Sequence, residues 1–115
     1  MSKATDFRRI ALSLEGTSEA PHFDRAAFKV NRIYATLAAD GRTANLKFAP
    51  DEQEMKCLLA PEAFAHVPNA WGKQGWTTAT LSKLTTAELK HALEISWQHA
   101  LPKKRAARRG PVSRR

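Results

Sequence analysis

The fold class follows from residues 28–48, which read FKVNRIYATLAADGRTANLKF. Three runs in this stretch are rich in β-branched and aromatic side chains, which favour strands, and they cover residues 28–30, 33–37 and 43–48. Asn31-Arg32 separates the first two runs, and Asp40-Gly41, a strong turn signal, separates the last two. The pattern predicts three consecutive antiparallel strands joined by short turns.

Each run alternates between apolar and polar side chains, as strands buried on one side do. Phe28, Leu46 and Phe48 mark the apolar side. We therefore expect one face of the sheet to pack on the core. The opposite face is expected to stay open and to carry Lys29, Tyr34, Thr36, Asn45 and Lys47.

Helical patterns flank these strands. Apolar residues at positions 7, 10, 11 and 14 have the spacing of one helix face, which predicts a helix over about residues 6–14. Pro50-Asp51-Glu52 favours the first turn of a second helix, which we expect to end near residue 59. Residues 17–24 read as a loop, because Pro21 lacks the backbone donor that regular strand pairing uses.

The C-terminal part of the sequence adds a strand and a helix. Residues 75–81 are β-branched and aromatic, residues 65–67 leave room for one more strand, and residues 66–73 otherwise read as a loop. Thr85-x-x-Glu88 matches a capping box and predicts a helix that ends at Pro102. The order α-βββ-α-β-α indicates an α+β fold, an antiparallel sheet with helices packed mainly on one face.

Positive charge is distributed unevenly along the chain. The net charge is +8 at neutral pH, with an isoelectric point near 10.2. Residues 1–101 hold twelve Lys/Arg against eleven Asp/Glu, a net of +1, whereas the last fourteen residues hold seven cations and no acid. We therefore predict a folded domain over residues 1–101 and a disordered basic tail over residues 102–115.

Several function classes find little support in the sequence. The four histidines are scattered and Cys57 has no CxxC partner, so we expect no metal site and no cofactor. No P-loop, GxGxxG or paired-carboxylate pattern occurs, and we expect no catalytic residues and no enzymatic activity. With one cysteine, no signal-peptide pattern and no membrane-spanning run, the expected location is the cytoplasm, with no membrane partner.

Candidate ligand contacts are cations and aromatic rings near turns. Residues 71–76, WGKQGW, can bring backbone N–H groups and Lys73 to a phosphate while Trp76 stacks on a base. The sequence favours the competing interpretation, in which both rings anchor the core and the glycines shape the turn. The open face and hairpin tips offer four further cations that can contact a phosphate backbone, namely Lys29, Arg32, Arg42 and Lys47. The sequence favours the competing interpretation here too, in which these cations belong to an ordinary solvated polar face.

The tail carries the clearest signal for a polyanion. Its clustered cations can release counterions from nucleic acid with little sequence preference. The residues concerned are Lys103, Lys104, Arg105, Arg108 and Arg109. A solubilising terminus with incidental affinity for RNA is the alternative interpretation.

An ordered series of short motifs resembles the MmcQ/YjbR family. The motifs are FRRIALSL at 7–14, PHF at 21–23, AFKV at 27–30, IYATL at 33–37 and WGKQGW at 71–76. The resemblance covers about residues 5–101 and implies an α+β fold like that of YjbR proteins and secretion chaperones. It also implies DNA binding through a proposed double-wing motif. The wings would be the hairpins at Asn31-Arg32 and Asp40-Gly41-Arg42, although the first turn lacks the glycine common in the family.

We therefore expect a monomeric, non-catalytic nucleic-acid-binding module that recognises DNA or another polyanion. In this interpretation the hairpin cations and Lys73 contact phosphates, and the tail adds non-specific affinity. The alternative is a protein- or peptide-binding module of the secretion-chaperone kind. Its partner would lie on the open face of the sheet, with Tyr34 and Thr36 in the interface.

Overall fold

The computed structural model describes residues 2–102, which form a six-stranded sheet with helices beside it. The helices are α1 (Ala4–Ser13), α2 (Pro50–Leu59), α3 (Ala70–Lys73) and α4 (Thr86–Ala100). The strands are β1 (Ser18–His22), β2 (Arg25–Lys29), β3 (Ile33–Leu37), β4 (Thr43–Lys47), β5 (Phe64–His66) and β6 (Trp76–Thr80). A short 3-10 helix, Leu81–Lys83, connects β6 to α4.

The sheet is antiparallel throughout and has the order β1-β2-β3-β4-β6-β5. The strands β1 to β4 form a meander, after which α2 carries the chain to the far edge. There β5 pairs with β6, and β6 lies in the interior beside β4. The predicted α+β class, with an antiparallel sheet and helices on one side, is confirmed.

The core lies between the sheet and α1, α2 and α4. Phe28, Ala35 and Leu46 stand directly opposite one another on β2, β3 and β4, and all three are fully buried. The ring of Phe7 from α1 packs edge-on against Phe28, with 5.3 Å between centroids, and Leu93 of α4 is also fully buried. Each of the buried Phe and Leu side chains contributes about 1.5–3 kcal/mol through its removal from water. We call this side of the sheet the helix face.

Local chemistry accounts for the helix ends. The predicted capping box of α4 is confirmed: Thr85 N–H donates to Glu88 Oε1 at 2.9 Å, and Glu88 N–H donates to Thr85 Oγ1 at 3.0 Å. The helix α1 begins earlier than predicted, because the Asp6 carboxylate accepts the Lys3 N–H at 2.9 Å. None of the helices within residues 2–102 combines the length and apolar character that a membrane crossing requires.

Two segments predicted as loops contain regular structure. Residues 17–24 include β1, and residues 66–73 include the single turn of α3. The strand β1 tolerates Pro21 because it is an edge strand, where the missing N–H can face solvent instead of a partner. The prediction that Pro21 prevents strand pairing is therefore wrong.

Tyr34 lies in the core and not on the open face. The register of β2 and β3 steps from Phe28↔Ala35 to Lys29↔Ile33, so Tyr34 is one extra residue in β3. A β-bulge of this kind disrupts strict alternation and redirects the side chain. Tyr34 is fully buried, and its hydroxyl shares a 2.9 Å hydrogen bond with Thr17 Oγ1. Burial raises the pKa of Tyr34, and the bond to Thr17 offsets part of that rise.

Candidate nucleic-acid interface

The open face, opposite the helices, has a lane of short side chains across all six strands. Strand pairing brings Ala27, Thr36, Asn45 and Thr78 into one continuous row. Ala20 extends the row onto β1, and Ala65 extends it onto β5. We call these six residues the central row. Because none of them is long, the middle of the face is a shallow surface bordered by larger side chains.

Cations and one aromatic ring border the central row. Lys29 and Lys47 lie where β2 and β4 end, beside the turn that contains Arg32; we call this the Arg32 end of the sheet. Lys47 Nζ lies 5.9 Å from the centroid of the Trp76 ring, whose residue stands opposite it on β6. At the other end, which we call the Phe23 end, Arg25 Nε donates to Thr36 Oγ1 at 2.8 Å.

The two faces of the sheet differ in the sign of their charge. In the described part of the chain, the strands carry four charged side chains: Glu19, Arg25, Lys29 and Lys47. Register places the three cations on the open face. Glu19 stands opposite Phe28 on the helix face, where Arg8 of α1 binds its carboxylate at 2.9 Å. Strand carboxylates are therefore absent from the open face.

Arg32 and Lys47 bring two positive charges together at the Arg32 end. Arg32 Nη2 donates to the backbone carbonyl of His99 at 2.9 Å, which holds its side chain against the end of α4. The pKa of Lys47 is lowered, chiefly by partial burial and further by the positive charge of Arg32. An anion bound beside both residues would relieve this repulsion.

The predicted body contacts divide between the two ends of the sheet. Lys29, Arg32, Lys47 and Trp76 share the Arg32 end, and Lys73 precedes Trp76 by three residues. Arg42 alone lies at the Phe23 end. The two predicted wings both use β3, so their tips point to opposite ends of the sheet. The hairpin that shares an end with the Arg42 turn is β1–β2, which sequence reasoning missed.

The predicted tail contacts lie outside the described residues. The disorder of residues 102–115 stays a prediction, as do the nucleic-acid contacts of Lys103, Lys104, Arg105, Arg108 and Arg109. The structure shows where the basic segment is attached to the domain. The basic segment follows Pro102, which comes three residues after His99, whose backbone carbonyl accepts a hydrogen bond from Arg32. The basic segment is therefore joined to the chain near the Arg32 end of the sheet.

The glycines of the WGKQGW segment have packing roles. The N–H of Gly72 donates to Asn69 O at 3.0 Å, and the N–H of Gly75 donates to Gly72 O at 3.1 Å. A Cβ on Gly72 would lie 1.9 Å from Val67 O, and one on Gly75 would lie 1.9 Å from Phe48 O. Since these N–H groups are engaged and these positions have no room for a side chain, the geometry favours the turn-shaping role over phosphate binding.

The tryptophans of this segment are not the core anchors that the sequence favours. Trp71 is 57% exposed, and Trp76 is half-buried on the open face beside Lys47. The anchor of the segment is Gln53 of α2, which is buried. Its Nε2 donates to Gly72 O at 2.9 Å and to Trp76 O at 3.0 Å. Trp76 is therefore available to a ligand of the open face.

Sequence reasoning did not assign Phe23 or Arg25 to the site, because the β1–β2 hairpin was not predicted. A hairpin signal was present in the five residues PHFDR, where two residues connect His22 to its partner Arg25. The predicted placement of Tyr34 on the open face is wrong, since its exposure is 0%, whereas Thr36 lies on the open face but is only 7% exposed. A protein partner elsewhere on the open face stays a prediction.

Comparison with known proteins identifies the family. The YjbR family model matches residues 12–99. The chain belongs to the YjbR family. This YjbR-family chain is also similar to the crystal structure of Deinococcus radiodurans protein DR2400, described as a DUF419 domain, with a TM-score of 0.77 and 24% identity. The similarity covers 90% of this chain and 82% of that one, and it supports the fold. No curated protein matches the chain.

Proposed function

We propose that this YjbR-family chain is a non-catalytic nucleic-acid-binding module whose open sheet face contacts the phosphates of DNA. The observation that carries the proposal is the segregation of charge between the two faces of the sheet. Arg25, Lys29 and Lys47 lie on the open face, while Glu19, the one strand carboxylate within residues 2–102, is paired with Arg8 on the helix face. A face with cations and no strand carboxylate suits a polyanion.

The position of Arg32 strengthens this proposal. Arg32 and Lys47 repel each other in the free protein, and a phosphate between them would replace repulsion with two attractive contacts. Asn45, Thr43 and Thr78 add hydroxyl and amide groups of the kind that also bind phosphate and sugar oxygens. The tail attaches near this end, so its cations can reach the same strand of nucleic acid.

The proposal predicts a moderate affinity with a limited salt dependence for the folded part. Net charge in residues 1–101 is only +1, so few phosphates are neutralised there. Each neutralised phosphate lowers the slope of log K against log salt by about 0.7 for single strands and about 0.9 for duplex DNA. Lys29, Lys47, Arg25 and Arg32 together predict a slope of roughly −3 to −4.

The test uses the full chain with a neutral tail, in which all seven tail cations are replaced by Gln, namely Lys103, Lys104, Arg105, Arg108, Arg109, Arg114 and Arg115. Binding of labelled DNA oligonucleotides is measured by fluorescence anisotropy over a range of salt concentrations. The double variant Lys29→Gln/Lys47→Gln should reduce the magnitude of the slope by about 1.4–1.8. The matched control Lys83→Gln/Lys90→Gln removes the same charge from exposed positions outside the sheet and should leave the slope nearly unchanged.

Two results would contradict the proposal. One is the absence of any binding by the neutral-tail chain at low salt, which would assign all affinity to the tail. The other is an equal effect of the open-face pair and the control pair, because net charge and not the face would then govern binding.

A further inference from the structure

Phe23 is the most exposed of the large apolar side chains in residues 2–102, at 95%. It occupies the two-residue turn between β1 and β2, with Asp24 as the second residue. Folding removes almost none of the apolar surface of this ring from water. Its contribution to folding through the hydrophobic effect is therefore close to nothing.

The backbone of Phe23 is also strained. Its φ is +61°, and it is the one non-glycine residue with positive φ in the described part of the chain. Glycine, asparagine or aspartate normally occupies such positions in two-residue hairpins, whereas a bulky residue there is an outlier. Strain of this kind is concentrated at ligand-contacting sites. Folding therefore does not account for the presence of phenylalanine at this position.

The ring of Phe23 is held beside the open face. The His22 ring contacts it edge to face, with 4.8 Å between centroids. His22 stands opposite Arg25, and register places both on the open face with Ala20 and Ala27. Arg25 Nη2 is buried and lacks a hydrogen-bond partner, so an acceptor next to this hairpin would satisfy it.

Phe23 and Trp76 mark opposite corners of the open face. One lies at the β1–β2 tip and the other at the start of β6, and the central row of short side chains lies between them. Strand spacing and rise put the two residues roughly 20 Å apart. Aromatic rings at two corners of a shallow surface bordered by cations are typical of a site for single-stranded nucleic acid, in which bases stack on aromatic side chains.

The shape of the face argues against groove recognition in a duplex. Six strands span about 24 Å, whereas the major groove is about 12 Å wide and admits a helix or a two-stranded ribbon. The bases of a duplex are also already stacked and paired. The unpaired bases of a single strand can reach both rings without that cost.

We propose that the ligand of the open face is single-stranded nucleic acid, with Phe23 stacking on one of its bases. This inference rests on the proposed function, because it names the form of nucleic acid that the same face binds. The cations contact the backbone of the strand, and Trp76 provides a second stacking surface beside Lys47.

The experiment compares a labelled twelve-nucleotide thymidine strand with a labelled twelve-base-pair duplex, using the neutral-tail full chain at fixed salt. The single strand should bind more tightly. Phe23→Leu keeps an apolar side chain and the same strained φ but removes the π face, so it should weaken single-strand binding by a factor of about 5 to 100. Phe23→Trp should retain binding.

Salt dependence separates stacking from charge. Phe23→Leu should lower the affinity equally at every salt concentration and leave the slope of log K unchanged, since no phosphate contact is lost. Phe23→Asn suits the positive φ and should keep or raise the unfolding temperature while it weakens binding. Binding lost in parallel with a lowered unfolding temperature in both variants would overturn the inference, because Phe23 would then be structural.

The outcomes distinguish this inference from the function on which it rests. If neither oligonucleotide binds, the proposed function fails, and the inference fails with it. If the duplex binds as tightly as the single strand, or Phe23→Leu binds like the parent, the inference is overturned while nucleic-acid binding by the open face stands.

Discussion

Gly75→Ala is expected to be among the most damaging single changes in this fold. Gly75 immediately precedes β6 and has φ of +108°, a conformation that side chains rarely adopt. A Cβ there would lie 1.9 Å from the carbonyl oxygen of Phe48. The same two residues are joined by a hydrogen bond from Phe48 N–H to Gly75 O at 3.0 Å. The backbones of the two strands are therefore in direct contact at this point.

The cost has two parts. A positive φ in a residue with a Cβ costs about 1–2 kcal/mol. Relief of the clash requires the two backbones to separate by at least about 1 Å, which breaks the bond from Phe48 N–H and leaves buried polar groups unsatisfied, at about 1–3 kcal/mol. The sum, about 2–5 kcal/mol, is a large share of the roughly 5–15 kcal/mol by which small domains are stable.

Urea unfolding followed by tryptophan fluorescence measures this loss. Gly16→Ala is the matched control, because Gly16 also has positive φ, +81°, but its Cβ would meet only the side chain of Val30, at 3.1 Å. We expect the control to cost about 1–2 kcal/mol. Equal losses for the two variants would refute the backbone-contact reasoning. A stable Gly75→Ala chain that no longer binds DNA would instead restore the phosphate-cradle interpretation of this turn.

Three further predictions concern single polar groups. Tyr34→Phe should cost about 1 kcal/mol in urea unfolding, because Thr17 Oγ1 loses its partner. The parent chain should lose stability as the pH rises through the raised pKa of Tyr34, and the variant should not show this loss. Gln53→Leu should cost about 1–3 kcal/mol in the same assay, since Gly72 O and Trp76 O each lose one of the hydrogen bonds that they accept, whereas Gln53→Glu at a pH low enough to protonate it should retain part of the contact. The hydrogen bond from Lys3 N–H, and after it the hydrogen bond from Arg9, lowers the pKa of Asp6. The stability that Asp6 contributes should therefore be present at neutral pH and be lost as the pH falls through that lowered pKa. The unfolding temperature of Asp6→Asn should accordingly fall less steeply than that of the parent chain below about pH 4.

The parts of the fold that could be predicted are those with local causes. The alternation in residues 43–47, the Asp40-Gly41 turn and the capping box at Thr85 act within a few residues, and all have their expected form. The strand β1 was missed because its five residues are all exposed and contain Pro21, so neither alternation nor composition marks it. Only its neighbour β2 makes it a strand.

The candidate interface was predictable in composition but not in arrangement. Lys29 and Lys47 could be assigned to the open face by alternation alone, and the structure agrees. Tyr34 could not, because the bulge that turns it inward is a property of the pairing of two strands and leaves no mark in either one. The position of Arg32 beside Lys47 depends likewise on a contact with the end of α4.

By itself, the sequence determined the α+β class, the family and the imbalance between a nearly neutral domain and a basic C-terminal segment, because periodicity, turn residues and net charge are properties of the chain. Only the tertiary structure decided which cations share a surface, where Phe23 projects and which rings are exposed. Those features depend on strand order and register, which bring together residues far apart in sequence. A shift of one residue in the pairing of a strand would have placed the side chains of that strand on the opposite face.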